Sequence, residues 1–403
     1  MSLERFDSSM RVAINCLQID PSYAGGVNTY TLGLLKGFAA SGNGCRFRVY
    51  VTSANQHLFE KLRKHNHFDL VTIENRHLLF RKNICRAALL SFSRALYRRT
   101  SDLIFGNIQK EMDESDVIYT PTVVLQCFDS RKPTVLSMHD IQHFHYPEFL
   151  SWHRRLSREI TYGLSARYAS YFQASSHFIK EDLLAHFTEI AAEQIDVIPE
   201  GVDASEFATR NDFDTQLERY CLPDRFLFCP AQLWPHKNHL TILRALKKIE
   251  NSHGLKIPLI LTGAKYSAAA QVFDFIAEQS MPYVSYLGKV PFRSLVALYQ
   301  RAAFLITAVL YESSSLPILE AVAAGTPVIA SKTPPNEEMG RVLQLNMFEP
   351  LDAEDLARLL FALWKDEKTA SSQSAYNREH IGLYSWESAA RKYVQLFERI
   401  VSS

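Results

Sequence analysis

The chain has 403 residues, of which 47% are hydrophobic and 22% charged, with a net charge of +1 at pH 7. That length suffices for two domains of ordinary size, each with its own core, and the charge balance excludes an overall pull toward nucleic acid. Six cysteines (Cys16, Cys45, Cys85, Cys127, Cys221 and Cys229) show no C-x-x-C spacing and match no histidine cluster. This argues against a zinc site or a disulfide framework and predicts a reducing, cytosolic compartment. Residues 1–7 are polar, unlike a signal peptide, and no apolar stretch reaches membrane-spanning length.

In chain order the pattern is one of repeated strand–helix units, which predicts parallel sheets covered on both faces. Residues 10–17 read as the first strand, Gly25-Gly26 as a turn and 27–40 as an amphipathic helix. Strands follow at 46–52, 116–119 and 133–138, helices at 152–168 and 177–186, and a short strand at 195–198. The polar stretch from there to about Asp224 predicts a domain boundary. A second series has strands at 226–230, 259–262, 284–286, 304–308 and 328–330, then helices near 352–364 and 386–400. Two successive doubly wound halves predict a binding cleft between them, outside the carboxyl ends of the strands.

Four segments carry candidate chemistry. The first is Asp20-Pro21-Ser22-Tyr23-Ala24-Gly25-Gly26-Val27, a glycine-containing loop after the first strand. Glycine lets backbone N–H groups approach a ligand. A dinucleotide site is the rival there, but no complete G-x-G-x-x-G is present. The second is Ser137-Met138-His139-Asp140, at the carboxyl end of an apolar strand. His143 and His145 lie nearby and read as ordinary loop histidines. The three do not form a metal site by sequence, because no partner carboxylates have ligand spacing.

The third segment is Pro230-Ala231-Gln232-Leu233-Trp234-Pro235-His236-Lys237-Asn238. Lys237 precedes a predicted helix that Asn238 can cap, and a cation beside a helix N-terminus suits a diphosphate. The fourth runs from Tyr311 through Glu312, Ser313, Ser314, Ser315, Leu316 and Pro317 to Glu320. Pro317 is expected at the first turn of a helix that ends at Gly325. Glu312 is expected on the loop, and Glu320 about two turns up the helix on roughly the same face. The N–H groups at the helix start offer an anion site between them, and the carboxylates suit sugar hydroxyls.

Residues 76–99 hold Arg76, Arg81, Lys82, Arg86, Arg94, Arg98 and Arg99, with no acidic residue and with interleaved apolar positions. Two readings stand: an amphipathic helix on a membrane surface, or a solvated helix on the flank of the first domain.

Leu316-Pro317-Ile318-Leu319-Glu320-Ala321, followed by Ala324-Gly325-Thr326-Pro327-Val328-Ile329-Ala330-Ser331, closely resembles the C-terminal signature of retaining nucleotide-sugar glycosyltransferases of the family-4 group. The resemblance extends from about residue 10 to 400. It implies a GT-B fold of two Rossmann-like domains facing a central cleft. Residues 10–203 would bind the acceptor, 204–384 the nucleotide sugar, and 385–403 would form a helix crossing back to the first domain. It further implies His139, Lys237 and Glu312 as catalytic residues. Donor contacts would come from Gly25, Gly26, Gln232, Lys237, Ser314, Ser315, Leu316 and Glu320, with Glu320 on the ribose. The family commonly has Gly-Arg in place of Ala231-Gln232 and Gly-Phe-Gly in place of Ser313-Ser314-Ser315.

The activity so implied is transfer of a hexose, with a lean to GDP-mannose. The acceptor is a saccharide or lipid-linked acceptor in surface polysaccharide synthesis, such as lipopolysaccharide. No metal or cofactor is expected, and the expected location is the cytoplasm or the inner face of the membrane. Rival readings are a non-catalytic sugar-nucleotide or glycan-binding protein, a nucleotide-sugar epimerase of similar fold, and a Rossmann oxidoreductase.

Overall fold

The computed structural model describes residues 9–22, 25–41, 44–73, 93, 108–125, 131–208 and 217–402. The basic segment at 76–99 therefore lies outside the described residues, Ser93 apart, as do Tyr23, Ala24, Cys85 and Cys127. The chain divides into two compact units: residues 1–201 with 386–403, and residues 202–385. No helix among the described residues is long and apolar enough to cross a membrane.

The first unit is built on a seven-stranded sheet in the order β3-β2-β1-β4-β5-β6-β7. Its strands are β1 (Met10–Asn15), β2 (Cys45–Thr52), β3 (Phe68–Ile73), β4 (Val117–Thr120), β5 (Thr134–Ser137), β6 (Tyr171–Ala174) and β7 (Ile195–Val197). Every pairing is parallel. Strands covered on both faces have no solvated side, so β4 and β5 are buried along their whole length. The chain runs outward from β1 to β3 and then restarts on the other side of β1 at β4. The switch between β1 and β4 opens a crevice at the carboxyl ends of the strands.

The Trp386–Ser402 helix belongs to this unit and packs on the Gly26–Ser41 helix. Two glycines allow the close approach. A Cβ at Gly33 would overlap the Trp386 indole, and one at Gly37 would overlap the Trp386 carbonyl. Beneath the contact, the hydroxyls of Tyr30, Tyr119, Ser137 and Tyr393 form one buried network. Tyr119 lies 2.8 Å and Tyr393 2.9 Å from Ser137, and Tyr30 donates to Gln173 over 3.2 Å. Burial holds the Tyr30 phenol up at about 12, so these groups stay neutral donors and acceptors.

The second unit is built on a six-stranded sheet in the order β10-β9-β8-β11-β12-β13. Its strands are β8 (Leu227–Pro230), β9 (Leu259–Thr262), β10 (Val284–Tyr286), β11 (Phe304–Thr307), β12 (Val328–Ser331) and β13 (Asn346–Phe348). All pairings are again parallel. Strand periodicity sorts alternate residues into two cores. Leu227, Leu259, Leu261, Phe304 and Ile306 join one cluster, while Phe226, Phe228, Ile260 and Leu305 join the other. Here the switch lies between β8 and β11, the same arrangement as in the first unit.

The elements absent from the sequence expectation include the strands β3, β6 and β13 and the helices Ala269–Glu278, Phe292–Arg301, Pro334–Gly340 and Glu367–His380, besides several helical segments of four or five residues. The expected strand at 304–308 ends one residue earlier, at Thr307. The Leu316–Ala324 helix begins with Leu316, places Pro317 second, and ends at Gly325 with φ of +81°. Glu320 is therefore about one turn into the helix, not two.

Candidate functional site

The switch of the second sheet brings two candidate loops together. After β8 the chain turns through Ala231–Trp234, makes a short 3-10 turn at Pro235–Lys237, and reaches the His239–His253 helix through Asn238. Asn238 has φ of +51° and makes no side-chain cap. Its amide instead donates to the Pro350 carbonyl over 2.8 Å, and its oxygen accepts from the Thr241 hydroxyl at 3.0 Å. The expected cap is thus replaced by a left-handed corner, a conformation that asparagine tolerates. After β11 the chain continues through 308–315 into the Leu316–Ala324 helix. The Leu310 N–H donates to the His236 carbonyl over 2.8 Å, tying one loop to the other.

Across this tie Lys237 Nζ lies 2.9 Å from Glu312 Oε2. The pair is mostly withdrawn from water, with side-chain exposures of 21% for Lys237 and 9% for Glu312. The other carboxylate oxygen, Glu312 Oε1, is buried without a hydrogen-bond partner among the described residues, and so is the Ser315 hydroxyl. Buried polar atoms are normally satisfied, because leaving one unmet costs about 1–3 kcal/mol. Ile318 and Leu319 both donate to the Ser315 carbonyl, and Pro317 has no N–H. Leu316, the first residue of the helix, has no acceptor within it.

The remaining candidates of this unit have defined partners. Gln232 Oε1 accepts from the Trp234 indole N–H at 3.0 Å, and Trp234 stacks on Tyr266 with ring centroids 3.9 Å apart. Glu320 accepts from the Tyr299 hydroxyl over 2.6 Å, and burial lifts its carboxyl to about 7. Tyr299, on the Phe292–Arg301 helix, carried no signal in the sequence near Glu320. Glu312 and Glu320 thus hold separate partners, Lys237 for one and Tyr299 for the other.

In the first unit, Gly25 and Gly26 start the Gly26–Ser41 helix. The Gly25 carbonyl accepts from the N–H groups of Asn28 and Thr29. A Cβ at Gly26 would meet nothing within 4 Å, so no described protein atom demands glycine there. His139 follows β5 and is 6% exposed. Its Nε2 lies 2.9 Å from the Pro121 carbonyl, which can only accept, so Nε2 carries the proton. Nδ1 points toward Glu200 Oε1 at 3.9 Å, and the Tyr30 ring meets the imidazole edge-on at 4.5 Å. Burial pulls the His139 pKa down, favouring the neutral ring.

His143 is buried against Phe144 and Tyr162, and burial takes its pKa down to about 4. His145 departs from the sequence reading. Its Nε2 lies 2.8 Å from both carboxylate oxygens of Asp182, a residue 37 positions away. Sequence spacing missed this carboxylate because a helix and a strand intervene.

Two family descriptions match the chain: Glycosyltransferase Family 4 over residues 24–206, and Glycosyl transferases group 1 over residues 219–380. O-antigen chain mannosyltransferase RfbU of Salmonella typhimurium is 26% identical over 199 residues, 49% of this chain and 52% of that protein. O-antigen chain mannosyltransferase B of Escherichia coli is 23% identical over 278 residues, 66% of this chain and 70% of that protein. The match thus spans about half the length of the first relative.

Among solved structures, HepE of Anabaena in complex with UDP and glucose aligns with a TM-score of 0.73 at 17% identity, covering 97% of this chain and 100% of that one. WaaG, a glycosyltransferase involved in lipopolysaccharide biosynthesis, aligns with a TM-score of 0.66 at 14% identity, covering 96% and 99%. At these identities the likeness shows the fold, which is GT-B: two Rossmann-like α/β domains with parallel sheets.

Proposed function

Because the chain belongs to the family 4 and group 1 glycosyltransferases, we propose that it moves a mannosyl group, with retention of configuration, from GDP-mannose to a saccharide or lipid-linked acceptor in surface polysaccharide synthesis. The O-antigen chain mannosyltransferases among its relatives support the mannosyl group and the pathway class. The second unit would hold the nucleotide and the first the acceptor.

The observation that carries this reading is the Lys237–Glu312 pair at the switch of the second sheet, beside the unmet Glu312 oxygen and Ser315 hydroxyl. Lys237 would offset the charge that builds on the departing diphosphate, with Gln232 alongside. The backbone of Ser314, Ser315 and Leu316 would meet the diphosphate or the sugar, and Glu312 a sugar hydroxyl. Glu320 would accept from the ribose. Gly25 and Gly26 would let the donor approach the first unit's backbone. His139, its tautomer fixed by Pro121, would offer Nδ1 to a hydroxyl of the transferred sugar.

A fixed cation and helix N–H groups can stabilise a leaving diphosphate, so we propose a metal-independent step. The acceptor oxygen would bond to the anomeric carbon as the bond to the phosphate oxygen breaks on the same face. The leaving phosphate would take the acceptor's proton. Transfer of labelled mannose to a panel of saccharide and lipid-linked acceptors tests the proposal, with EDTA in a parallel reaction and NMR of the new linkage. An α-mannoside formed equally with EDTA is expected. A β-linked product, loss of activity with EDTA, or donor conversion without an acceptor would overturn it.

A further inference from the structure

We propose that His145, Asp182 and His186 bind a divalent transition metal ion of the zinc class, at a site that does not depend on the transferase reading. Asp182 and His186 are four residues apart on the His177–His186 helix, so they share one face. His145 ends the separate Gln142–His145 helix. One ligand atom from each residue falls in a group whose members all lie within 4.8 Å of one another.

The individual separations suit a metal. His145 Nε2 is 2.8 Å from Asp182 Oδ1, and His186 Nδ1 is 3.3 Å from the same oxygen. Ligands in a tetrahedral zinc site with bonds near 2.1 Å stand about 3.4 Å apart. Modest opening of the cluster would therefore admit the ion. Two imidazoles and one carboxylate are a borderline donor set, matched to zinc and its neighbours and not to calcium or magnesium.

Burial is arranged as a metal site requires. The Asp182 side chain is 5% exposed, while those of His145 and His186 are 32% and 28% exposed. The charged group that compensates the ion thus sits inside, and the two neutral ligands form the rim. Water can complete the coordination from outside. Phe144 stacks on the His186 ring with centroids 4.5 Å apart and fixes its plane.

Without the ion, His145 Nε2–H donates to the Asp182 carboxylate and His186 Nδ1–H donates to the Asp182 carbonyl at 2.9 Å. On binding, each neutral ring would keep its proton on the other nitrogen and present a lone pair to the ion. The Asp182 carboxylate would exchange an imidazole N–H for the cation. The ion would clip the helix that follows His139-Asp140 to the His177–His186 helix. This role would be structural and separate from donor chemistry.

Titration of chelator-stripped full-length protein with Co2+ tests the site, followed by visible d–d absorption and then by displacement with Zn2+. The wild type is expected to bind one Co2+ per chain and to lose its bands to Zn2+. His145→Gln can still donate to Asp182, and His186→Asn alters a rim residue, so both should keep the parent circular dichroism. Each should lose affinity by at least the 10–100-fold that removal of a mere supporting group costs. His153→Asn, on a different helix, should bind as the wild type does. Absent bands in the wild type at millimolar Co2+ would overturn the proposal. Unchanged binding in His145→Gln and His186→Asn, or its loss in His153→Asn, would do the same.

Discussion

Lys237 and Glu312, 75 residues apart in sequence, meet at 2.9 Å where the second sheet reverses its strand order. Each stands on the loop at the carboxyl end of one of the two strands that flank the switch, β8 and β11. If Lys237 stabilises the leaving diphosphate, Lys237→Ala should lower kcat by about 100-fold or more, the scale seen when one preorganised electrostatic group is removed. Glu312→Gln keeps the shape and loses the charge that holds Lys237, and should show a loss of similar order. Because the two act as a pair, the double variant should be little worse than either single one. Steady-state kinetics of the three variants, with circular dichroism to confirm folding, checks this.

Glu320 predicts a dependence on pH. Its carboxyl is lifted from 4.5 to about 7 because burial disfavours the charged form. The raised value means that the neutral form favours folding fully below about pH 4.5, and that this contribution is lost as pH rises through about 7. Glu320→Gln stays neutral throughout. Its stability relative to the wild type should therefore rise between pH 5 and 8, by up to about 3 kcal/mol. Denaturant unfolding of both proteins across that range reads the difference. An ionised carboxylate is the better acceptor for ribose hydroxyls, so nucleotide affinity of the wild type should rise over the same range.

Two glycines give opposite expectations. Gly37→Ala drives a Cβ into the Trp386 carbonyl, so the two helices must separate. The cost of such overpacking is about 1–3 kcal/mol, enough to outweigh the propensity gained in a helix. Gly163 lies in the Trp152–Tyr168 helix, and a methyl group added there would meet nothing within 4 Å. Gly163→Ala should therefore stabilise by up to about 1 kcal/mol. Thermal unfolding should show Tm falling for the first and rising for the second.

The Glu367–His380 helix explains why one element escaped the sequence reading. It lacks an apolar stripe, which is the usual sign of a packed helix. Its inward residues are polar instead. Gln373 accepts from the Val328 N–H at 3.0 Å, and Asn377 both accepts from the Gln344 N–H at 2.7 Å and donates to its carbonyl at 2.9 Å. Asn377→Ala would leave both Gln344 groups unmet and should cost about 2–3 kcal/mol in denaturant unfolding.

Much else was legible for physical reasons. Strands buried on both faces must be apolar runs, so β8, β9, β11 and β12 stood out, and Gly325 marked a helix end that requires positive φ. β6 and β13 did not stand out: one is four residues with a buried Gln173, and the other is three residues at a sheet edge. Within the candidate site, sequence spacing supplied Lys237, Glu312 and Glu320. It could not supply Tyr299 or Asp182, whose partners are set by the fold and not by local pattern.

The most direct test of the central claim is calorimetric titration of GDP into the wild type and into Lys237→Ala, both without metal. The account predicts one GDP per wild-type chain and affinity at least about tenfold weaker in the variant, which is the loss of about 1.4 kcal/mol from one charge–phosphate contact. No heat from GDP or from any other nucleoside diphosphate, or equal affinity in the two proteins, would contradict it.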